Sequence, residues 1–177
     1  MVDLFLERTF EPPLSRSDVL AMAGRSADCF GLHRVEWCVS LLASGGHRMF
    51  CHFRAADAES VRIALRTADA DISRLWPGTV HDAPGLGAAD INGGNVLVER
   101  SFGEAVAIDD IQAIEDSGAH CLEEHRVTFL RTYFSNDHKR MICLYRAPDA
   151  ESVRLAQRQA NMPQDRVWAF ATIQPDS

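Results

Sequence analysis

Two cysteine and histidine pairs in this sequence have a spacing that suits metal ligands on a helix. Cys29 precedes His33 by four residues, and Cys121 precedes His125 by the same interval, so each pair projects from one helix face. A thiolate and an imidazole placed in this way could bind a soft metal ion or act as a nucleophile and its base. In the alternative interpretation, which we prefer, each cysteine is a small core residue and each histidine lies at a helix end.

Acidic and basic residues stand side by side in two predicted strands. Glu7 precedes Arg8, and Glu99 precedes Arg100, so the two members of each pair point to opposite faces of a sheet. One member must therefore enter protein, where a charge is costly unless it is paired. An ion pair can satisfy it, or Glu7 and Glu99 can line a ligand cavity, and the sequence leaves both possibilities open.

A third group of candidate residues comprises His52, Arg131 and Tyr133. They could supply an acid or base, an anion clamp and a hydrogen bond to one small asymmetric ligand. The alternative is sequence drift at positions that face solvent. Their counterparts in the repeat described next are Leu144, Val39 and Leu41.

All these candidates belong to a tandem duplication. Residues 4–81 align with residues 96–173 without a gap, so equivalent residues are 92 positions apart. The segment RAADAESVRIALRTAD at 54–69 returns as RAPDAESVRLAQRQAN at 146–161, and RMFC returns as RMIC. Self-similarity of this extent indicates two copies of one structural unit.

Each copy is predicted to run strand, helix, strand, strand, helix, strand. LFLERTF and VLVERSF are typical of strands, and Ser15–Asp18 resembles an N-terminal cap before helically spaced apolar residues. The strands VEWCVSLL and RMFCHF are joined by residues 44–46, which suit a hairpin turn. The second helix is expected to begin after Asp57 in the first copy and after Asp149 in the second.

This order predicts the α+β class, with two ferredoxin-like βαββαβ units. Apolar residues occupy both faces of the strands, as at Leu4, Phe5 and Leu6, so each sheet needs cover on its helix-free face. We therefore expect the units to pack sheet to sheet as an intramolecular dimeric α+β barrel. The expected domains are residues 1–81, a Gly-rich linker at 82–95 and residues 96–177. Helices outside such a barrel lie on opposite sides, so the two pairs of Cys and His are not expected to share one metal ion.

The composition argues against several classes of protein. The chain has 18 Lys and Arg residues against 25 Asp and Glu, a net charge of -7, so no nucleic-acid partner is expected. The absence of a long apolar run and of a secretion signal predicts a soluble, cytoplasmic protein with no membrane partner. The five cysteines, which lack CxxC spacing, are predicted to be free thiols.

The ERTF opening, the LRTYFS and RMICLYRAPDAESVR blocks and the closing DRVW resemble a family of small bacterial domains of unknown function that includes a nickel-responsive nickel-binding protein. The resemblance covers nearly all of the second copy and most of the first. It implies a ferredoxin-like fold and nickel or another transition-metal ion as cofactor. It also implies that the acidic residue in the family's first strand corresponds to Glu7 and Glu99. The nickel-binding branch has histidines just after this acid, whereas this sequence has arginine followed by threonine or serine.

Two functions are predicted from these observations. The first is the binding of a small ligand or a transition-metal ion at or near the cavity between the sheets, by a monomer or a homodimer. The alternative is an enzyme of the dimeric α+β barrel type, an isomerase or a cofactor-free oxygenase that acts on a small aromatic or acidic compound. A structural interaction module is a third interpretation, and no residue is assigned a catalytic role.

Overall fold

The computed structural model describes residues 1–87, 91 and 93–175. Residues 88–90 and 92 of the predicted linker therefore lie outside the described residues. The chain divides into two compact units, the first comprising Met1–Gly78 with the C-terminal segment from Ala171, and the second comprising Thr79–Phe170. The domain limits expected from the repeat stay a prediction.

The strands and helices follow the predicted order in both copies. The first copy contains β1 (Val2–Thr9), α1 (Arg16–Leu32), β2 (Glu36–Ala43), β3 (Arg48–Ala55), α2 (Ala58–Thr67) and β4 (Leu75–Asp82). The second contains β5 (Val96–Ser101), α3 (Ile108–Ser117), α4 (Ala119–Glu124), β6 (Thr128–Ser135), β7 (Arg140–Arg146), α5 (Ala150–Gln159) and β8 (Arg166–Ile173). The protein is thus mixed α+β, as predicted.

Polar side chains begin three helices where the sequence predicts. Ser15 accepts a hydrogen bond from the backbone of Asp18, whose carboxylate bonds back to Ser15. Asp57 begins α2 and Asp149 begins α5, each by accepting the backbone N–H three residues ahead. These bonds satisfy amide groups that have no partner inside the helix.

The first helix of the second copy differs from the prediction. One continuous helix was expected, but Gly118 separates α3 from α4. Glycine has low helix propensity, and a Cβ at Gly118 would lie 2.5 Å from the Cβ of Ala160. The close approach of Gly118 to Ala160, at the end of α5, therefore depends on the absence of a side chain at Gly118.

The strands pair antiparallel in both units. The order is β4–β1–β3–β2 in the first unit and β8–β5–β7–β6 in the second. The register places Glu7 opposite Phe50 and Glu99 opposite Ile142. Equivalent irregularities interrupt the pairing of β2 with β3 and of β6 with β7, so the duplication preserves even local distortions.

Alternation along β1 divides its side chains between two sheet faces. Leu4 and Leu6 join the core formed with α1 and α2, which we call the helix face. Phe5 points to the opposite face, where its ring centroid lies 5.8 Å from that of Phe50 and 4.7 Å from that of Trp76. The expectation that both faces are apolar is confirmed, since Leu4, Phe5 and Leu6 are all fully buried. Among the described residues, no helix combines the length and apolar character needed to cross a bilayer.

Candidate functional site

Glu7 and Glu99 lie on the face opposite the helices, and each accepts a hydrogen bond from a tryptophan. Trp76 Nε1 donates to Glu7 Oε1 at 2.9 Å, and Trp168 Nε1 donates to Glu99 Oε1 at 2.8 Å. The two glutamate side chains are only 10% and 6% exposed. The duplication thus keeps one buried carboxylate and one indole donor in each unit.

Arginines neutralise the charge of both carboxylates. Arg74 Nη2 lies 3.5 Å from Glu7 Oε2, while Arg140 and Arg166 each donate to Glu99 Oε2 at 3.0 Å. Burial by itself raises the pKa of Glu99, but the hydrogen bonds and the two guanidinium groups outweigh burial and lower it. The contacts are those of a satisfied ion pair, and a ligand role for either glutamate stays a prediction.

A nickel ion does not fit the surroundings of Glu99. Both carboxylate oxygens already accept hydrogen bonds. A divalent cation bound there would lie beside the guanidinium groups of Arg140 and Arg166, and like charges at such distances repel. The neighbouring nitrogen atoms belong to arginine and tryptophan, which do not ligate nickel as imidazole does.

The two predicted Cys and His pairs lie at equivalent helix ends. His33 follows the last residue of α1, and its backbone N–H donates to the carbonyl of Cys29. His125 follows α4 and bonds the carbonyl of Cys121 in the same way. These positions agree with the interpretation of each histidine as a helix-end residue.

The side chains of the second pair contact other residues. Cys121 is buried, with its sulfur 3.4 Å from His120 Nε2, whereas His125 Nε2 lies 2.8 Å from Gln159 Oε1. Within residues 1–87, 91 and 93–175, no group of three or more His, Cys, Asp or Glu could hold a metal ion. None of the five cysteines forms a disulfide bond in the structure, which agrees with the prediction of thiols.

His52 is buried on the face opposite the helices. Its Nε2 donates to Asp3 Oδ1 at 2.7 Å, and its ring centroid lies 5.1 Å from that of Phe5. Arg54 Nε lies 4.0 Å from the same carboxylate oxygen. Asp3 therefore orients the imidazole, which the sequence alone does not indicate.

Arg131 and Tyr133 lie near each other, but the guanidinium of Arg131 is hydrogen-bonded to a carboxylate of the chain itself. Arg131 donates through Nε to Asp82 Oδ1 at 2.6 Å and through Nη2 to Asp82 Oδ2 at 3.0 Å. Its Cζ lies 5.8 Å from the ring centroid of Tyr133. Burial lowers the pKa of Arg131, but Asp82 and Tyr133 outweigh burial and raise it. The predicted anion clamp is thus engaged with Asp82.

A cavity of about 350 Å³ lies on the helix face of the first unit, under α1 and α2. Its volume is within the range of small-molecule sites. The walls contain both apolar and polar side chains. The larger apolar ones are Met22, Phe30, Trp37, Met49, Phe53 and Leu65, and the polar ones are Arg8, Arg25, Ser26, Ser40 and Asp69.

Arg8 brings a charge to this cavity. Its Cζ lies 4.7 Å from the ring centroid of Phe10, and its Nε is buried without a hydrogen-bond partner in the described part of the chain. Burial lowers the pKa of Arg8, against the influence of Cys51 and Asp71. A guanidinium nevertheless remains charged near neutral pH, so the cavity holds a permanent cation.

Polar groups in one wall form a short chain of hydrogen bonds. Trp37 Nε1 donates to Ser40 Oγ at 3.0 Å, and the Ser40 hydroxyl donates to Cys51 Sγ at 3.0 Å. Burial raises the pKa of Cys51 to about 11, although Ser40 and Arg8 act in the opposite direction. Because the thiolate is the nucleophilic form, Cys51 is unreactive near neutral pH.

The sequence patterns did not predict this cavity, and they indicated Arg8 only as the charged neighbour of Glu7. A signal was present, because the two copies differ at three helix-face positions that surround the buried arginine. The first copy has Ala23, Phe53 and Leu65 where the second has Glu115, Tyr145 and Gln157.

Most of the second copy matches a known protein family. Residues 97–169 match the profile of the family described as nickel responsive protein SCO4226-like. The crystal structure of SCO4226 from Streptomyces coelicolor A3(2) matches 47% of this chain and 98% of its own, with 16% sequence identity and a TM-score of 0.38. No protein with a curated description matches this chain in sequence.

Two further solved structures cover nearly the whole chain. The candidate chlorite dismutase TA0507 covers 98% of this chain and 94% of its own, with 10% identity and a TM-score of 0.55. A variant chlorite dismutase from Candidatus Nitrospira defluvii covers 96% and 90%, with 10% identity and a TM-score of 0.51. At this identity the likeness concerns the fold alone. The chain thus has the α+β fold of these proteins, and its residues 97–169 resemble the nickel-responsive family, as the sequence motifs predict.

Proposed function

We propose that this protein binds a small organic ligand in the cavity beside Arg8. The observation that carries the proposal is a cavity of about 350 Å³, lined by apolar and polar side chains, that contains a permanent cation whose Nε has no partner among the described residues. Leaving a buried polar group unpaired is unfavourable. A ligand that accepts a hydrogen bond from Arg8 Nε would pair this group, and its apolar part would cover the apolar side chains of the wall.

The cavity is better suited to binding than to catalysis. Its ionisable lining residues are Arg8, Arg25, Cys51 and Asp69. The arginines hold their protons near neutral pH, the thiol of Cys51 has a raised pKa, and Asp69 is exposed. None of these four combines burial with the poised pKa expected of a general base. The alternative enzyme of the dimeric α+β barrel type stays a prediction, and turnover of a bound ligand would support it.

This proposal moves the site from the location expected from the sequence. The expected residues Glu7, Glu99, His52 and Arg131 are engaged with Arg, Trp or Asp side chains of the chain, whereas Arg8 Nε is not. We include a ferredoxin-like description of each unit in the proposal, because the order β4–β1–β3–β2 is typical of that fold. Sheet-to-sheet pairing of the units stays a prediction.

A cavity-filling variant tests the location. Ala23 lines the cavity, and Ala27 is exposed on the same helix, so Ala23→Phe fills the cavity while Ala27→Phe is the matched control. We would measure the thermal shift of all three proteins against a panel of anionic, neutral and cationic small aromatic compounds. A ligand at about 100 times its Kd stabilises the native state by about 2.7 kcal/mol.

We expect at least one class of compound to raise the Tm of the wild type and of Ala27→Phe but not of Ala23→Phe. Equal shifts in all three proteins would place the binding elsewhere. No shift of the wild type with any class would contradict the proposal.

Transition-metal binding is a second candidate function, and the family match over residues 97–169 favours it. Metal analysis of protein purified without a tag, with thermal shifts in nickel, cobalt, copper and zinc, tests it directly. One equivalent of nickel that is lost in His125→Ala or Cys121→Ser would support the predicted ligands. A metal content below about a tenth of an equivalent, together with no thermal shift, would exclude metal binding, because a bound metal must stabilise the folded state.

A further inference from the structure

The second unit shows how a buried arginine at the position of Arg8 can be satisfied in part by side chains of the chain. Arg100, its equivalent, is fully buried and donates through Nη2 to Gln157 Oε1 and, at 3.2 Å, to the hydroxyl oxygen of Tyr145. Tyr145 in turn donates to Glu115 Oε1 at 2.7 Å. A carboxylate of the chain thus lies one hydrogen bond beyond the guanidinium, although Arg100 Nε and Nη1 have no partner in the described residues.

The first unit lacks all three polar partners. Ala23 replaces Glu115, Phe53 replaces Tyr145 and Leu65 replaces Gln157, and all three replacements line the cavity. The substitutions remove one negative charge and two hydrogen-bonding groups while Arg8 remains.

Space opens where these side chains are lost. The corresponding cavity of the second unit is only about 70 Å³, against about 350 Å³ in the first. The two cavities correspond in part, because five of the ten lining residues of the smaller cavity match lining residues of the larger one. These five are Ile111, Glu115, Phe129, Thr132 and Met141, which match Val19, Ala23, Trp37, Ser40 and Met49.

A second difference keeps the first cavity open. In the second unit Gly118 lets the helices approach so closely that a Cβ there would be 2.5 Å from that of Ala160. The equivalent residues in the first unit are Ser26 and Ala68, and both line the cavity. A serine cannot occupy so short a separation, so α1 cannot approach the end of α2 as closely as its counterpart approaches α5.

We infer that the ligand of this cavity is a small monocarboxylate with an apolar body, and that its carboxylate contacts Arg8 as a substitute for the missing polar side chains. The inference rests on the proposed function and adds the class of the ligand. In the second unit, side chains of the chain itself occupy the space beside Arg100. In the first unit, the space beside Arg8 is open to a molecule from solution.

The chemistry of the lining favours this class over others. A single carboxylate balances the half-buried cation of Arg8 and can accept two parallel hydrogen bonds from a guanidinium. An amine would be repelled by Arg8. A phosphate dianion would need further buried donors, whereas the larger apolar side chains of the wall, Met, Phe, Trp and Leu, match a hydrocarbon or aromatic body.

The test uses three probes that share a shape and differ in charge, namely phenylacetate, 2-phenylacetamide and 2-phenylethylamine. Dissociation constants are measured by calorimetry or NMR titration on the full chain at low ionic strength. We expect phenylacetate to bind at least 10-fold more tightly than the amide, because hydrogen bonds to charged groups are stronger than neutral ones, and we expect no binding of the amine.

Three variants locate the interaction. Arg8→Met should abolish the preference of the carboxylate over the amide, and Arg8→Lys should keep part of it. Arg66→Met, at an exposed residue of α2 outside the cavity lining, is the control and should change the carboxylate affinity by less than 3-fold. The triple variant Ala23→Glu, Phe53→Tyr and Leu65→Gln installs the side chains of the second unit and should abolish binding of every probe.

The outcomes separate the two proposals. Equal affinity for phenylacetate and 2-phenylacetamide, unchanged by Arg8→Met, would overturn the assignment of a carboxylate while leaving the cavity as a binding site. If none of the three probes binds the wild type and none of the wider panel shifts its Tm, both proposals fail. Undiminished binding to the triple variant would also overturn the inference, provided that circular dichroism shows the variant to be folded.

Discussion

The hydroxyl of Tyr145 donates to Glu115 Oε1 at 2.7 Å beneath the helices of the second unit, and both side chains are buried. This bond links Glu115 to Arg100, because the same hydroxyl oxygen accepts from Arg100 Nη2 at 3.2 Å. The equivalent pair in the first unit is Phe53 and Ala23. One duplicated fold therefore carries a filled polar network in one copy and a cavity in the other.

Tyr145→Phe should destabilise the protein by about 1–3 kcal/mol, because it leaves both Arg100 and Glu115 without their shared partner in a buried site. Urea unfolding followed by circular dichroism measures the change. Tyr145→Phe in a Glu115→Ala background is the matched comparison, and it should have a smaller effect because the acceptor of the hydroxyl is already absent. Equal effects in the two backgrounds would contradict the network.

Gly118→Ala should destabilise the protein by about 1–3 kcal/mol, since the added methyl group would overlap Ala160 in a packed interface. Gly24 lies inside α1, and a Cβ there would meet no atom within 4 Å. Gly24→Ala is therefore the control, and it should stabilise the protein by about 0.5–1 kcal/mol through helix propensity. Thermal unfolding of both variants gives the comparison, and a neutral Gly118→Ala would refute the close helix contact.

Acid stability should depend on Glu99. Its folded-state pKa is lowered, so its contribution is fully present above the unfolded value of about 4.3 and is lost as the pH falls through the lower folded value. In Glu99→Gln this loss cannot occur, so the variant should be less stable than the wild type near neutral pH, with the gap narrowing in acid. The test is the free energy of unfolding of each protein, measured between pH 6 and pH 2. Glu123→Gln, at an exposed residue, is the control for removing one charge.

Alkaline stability should depend on Cys51 in the opposite sense. Its folded-state pKa is raised to about 11, whereas an unfolded thiol ionises near about 8.5. The contribution of the protonated thiol is therefore present below the unfolded value and is lost as the pH rises towards 11. Cys51→Ala should weaken the alkaline loss of stability, and native Cys51 should react with a thiol reagent at pH 8 more slowly than the less buried Cys38.

The sequence predicted much of the fold because its signals are local. The caps at Ser15, Asp57 and Asp149 and the alternation of Leu4, Phe5 and Leu6 depend on residues close in the chain, and each is found in the structure. The contact of Gly118 with Ala160 was not predicted, because the two residues lie far apart in the chain.

The site residues were predicted less well, since their environment depends on partners distant in sequence. The sequence similarity of the two copies and the α+β class follow from the order and types of residues alone. Only the tertiary structure shows that Asp82 engages Arg131 and that Asp3 holds His52. Likewise, it alone shows that Arg8 lies in a cavity while Arg100 lies among polar partners. The physical reason is that burial and hydrogen bonding arise from side chains of separate strands and helices, which a local pattern does not bring together.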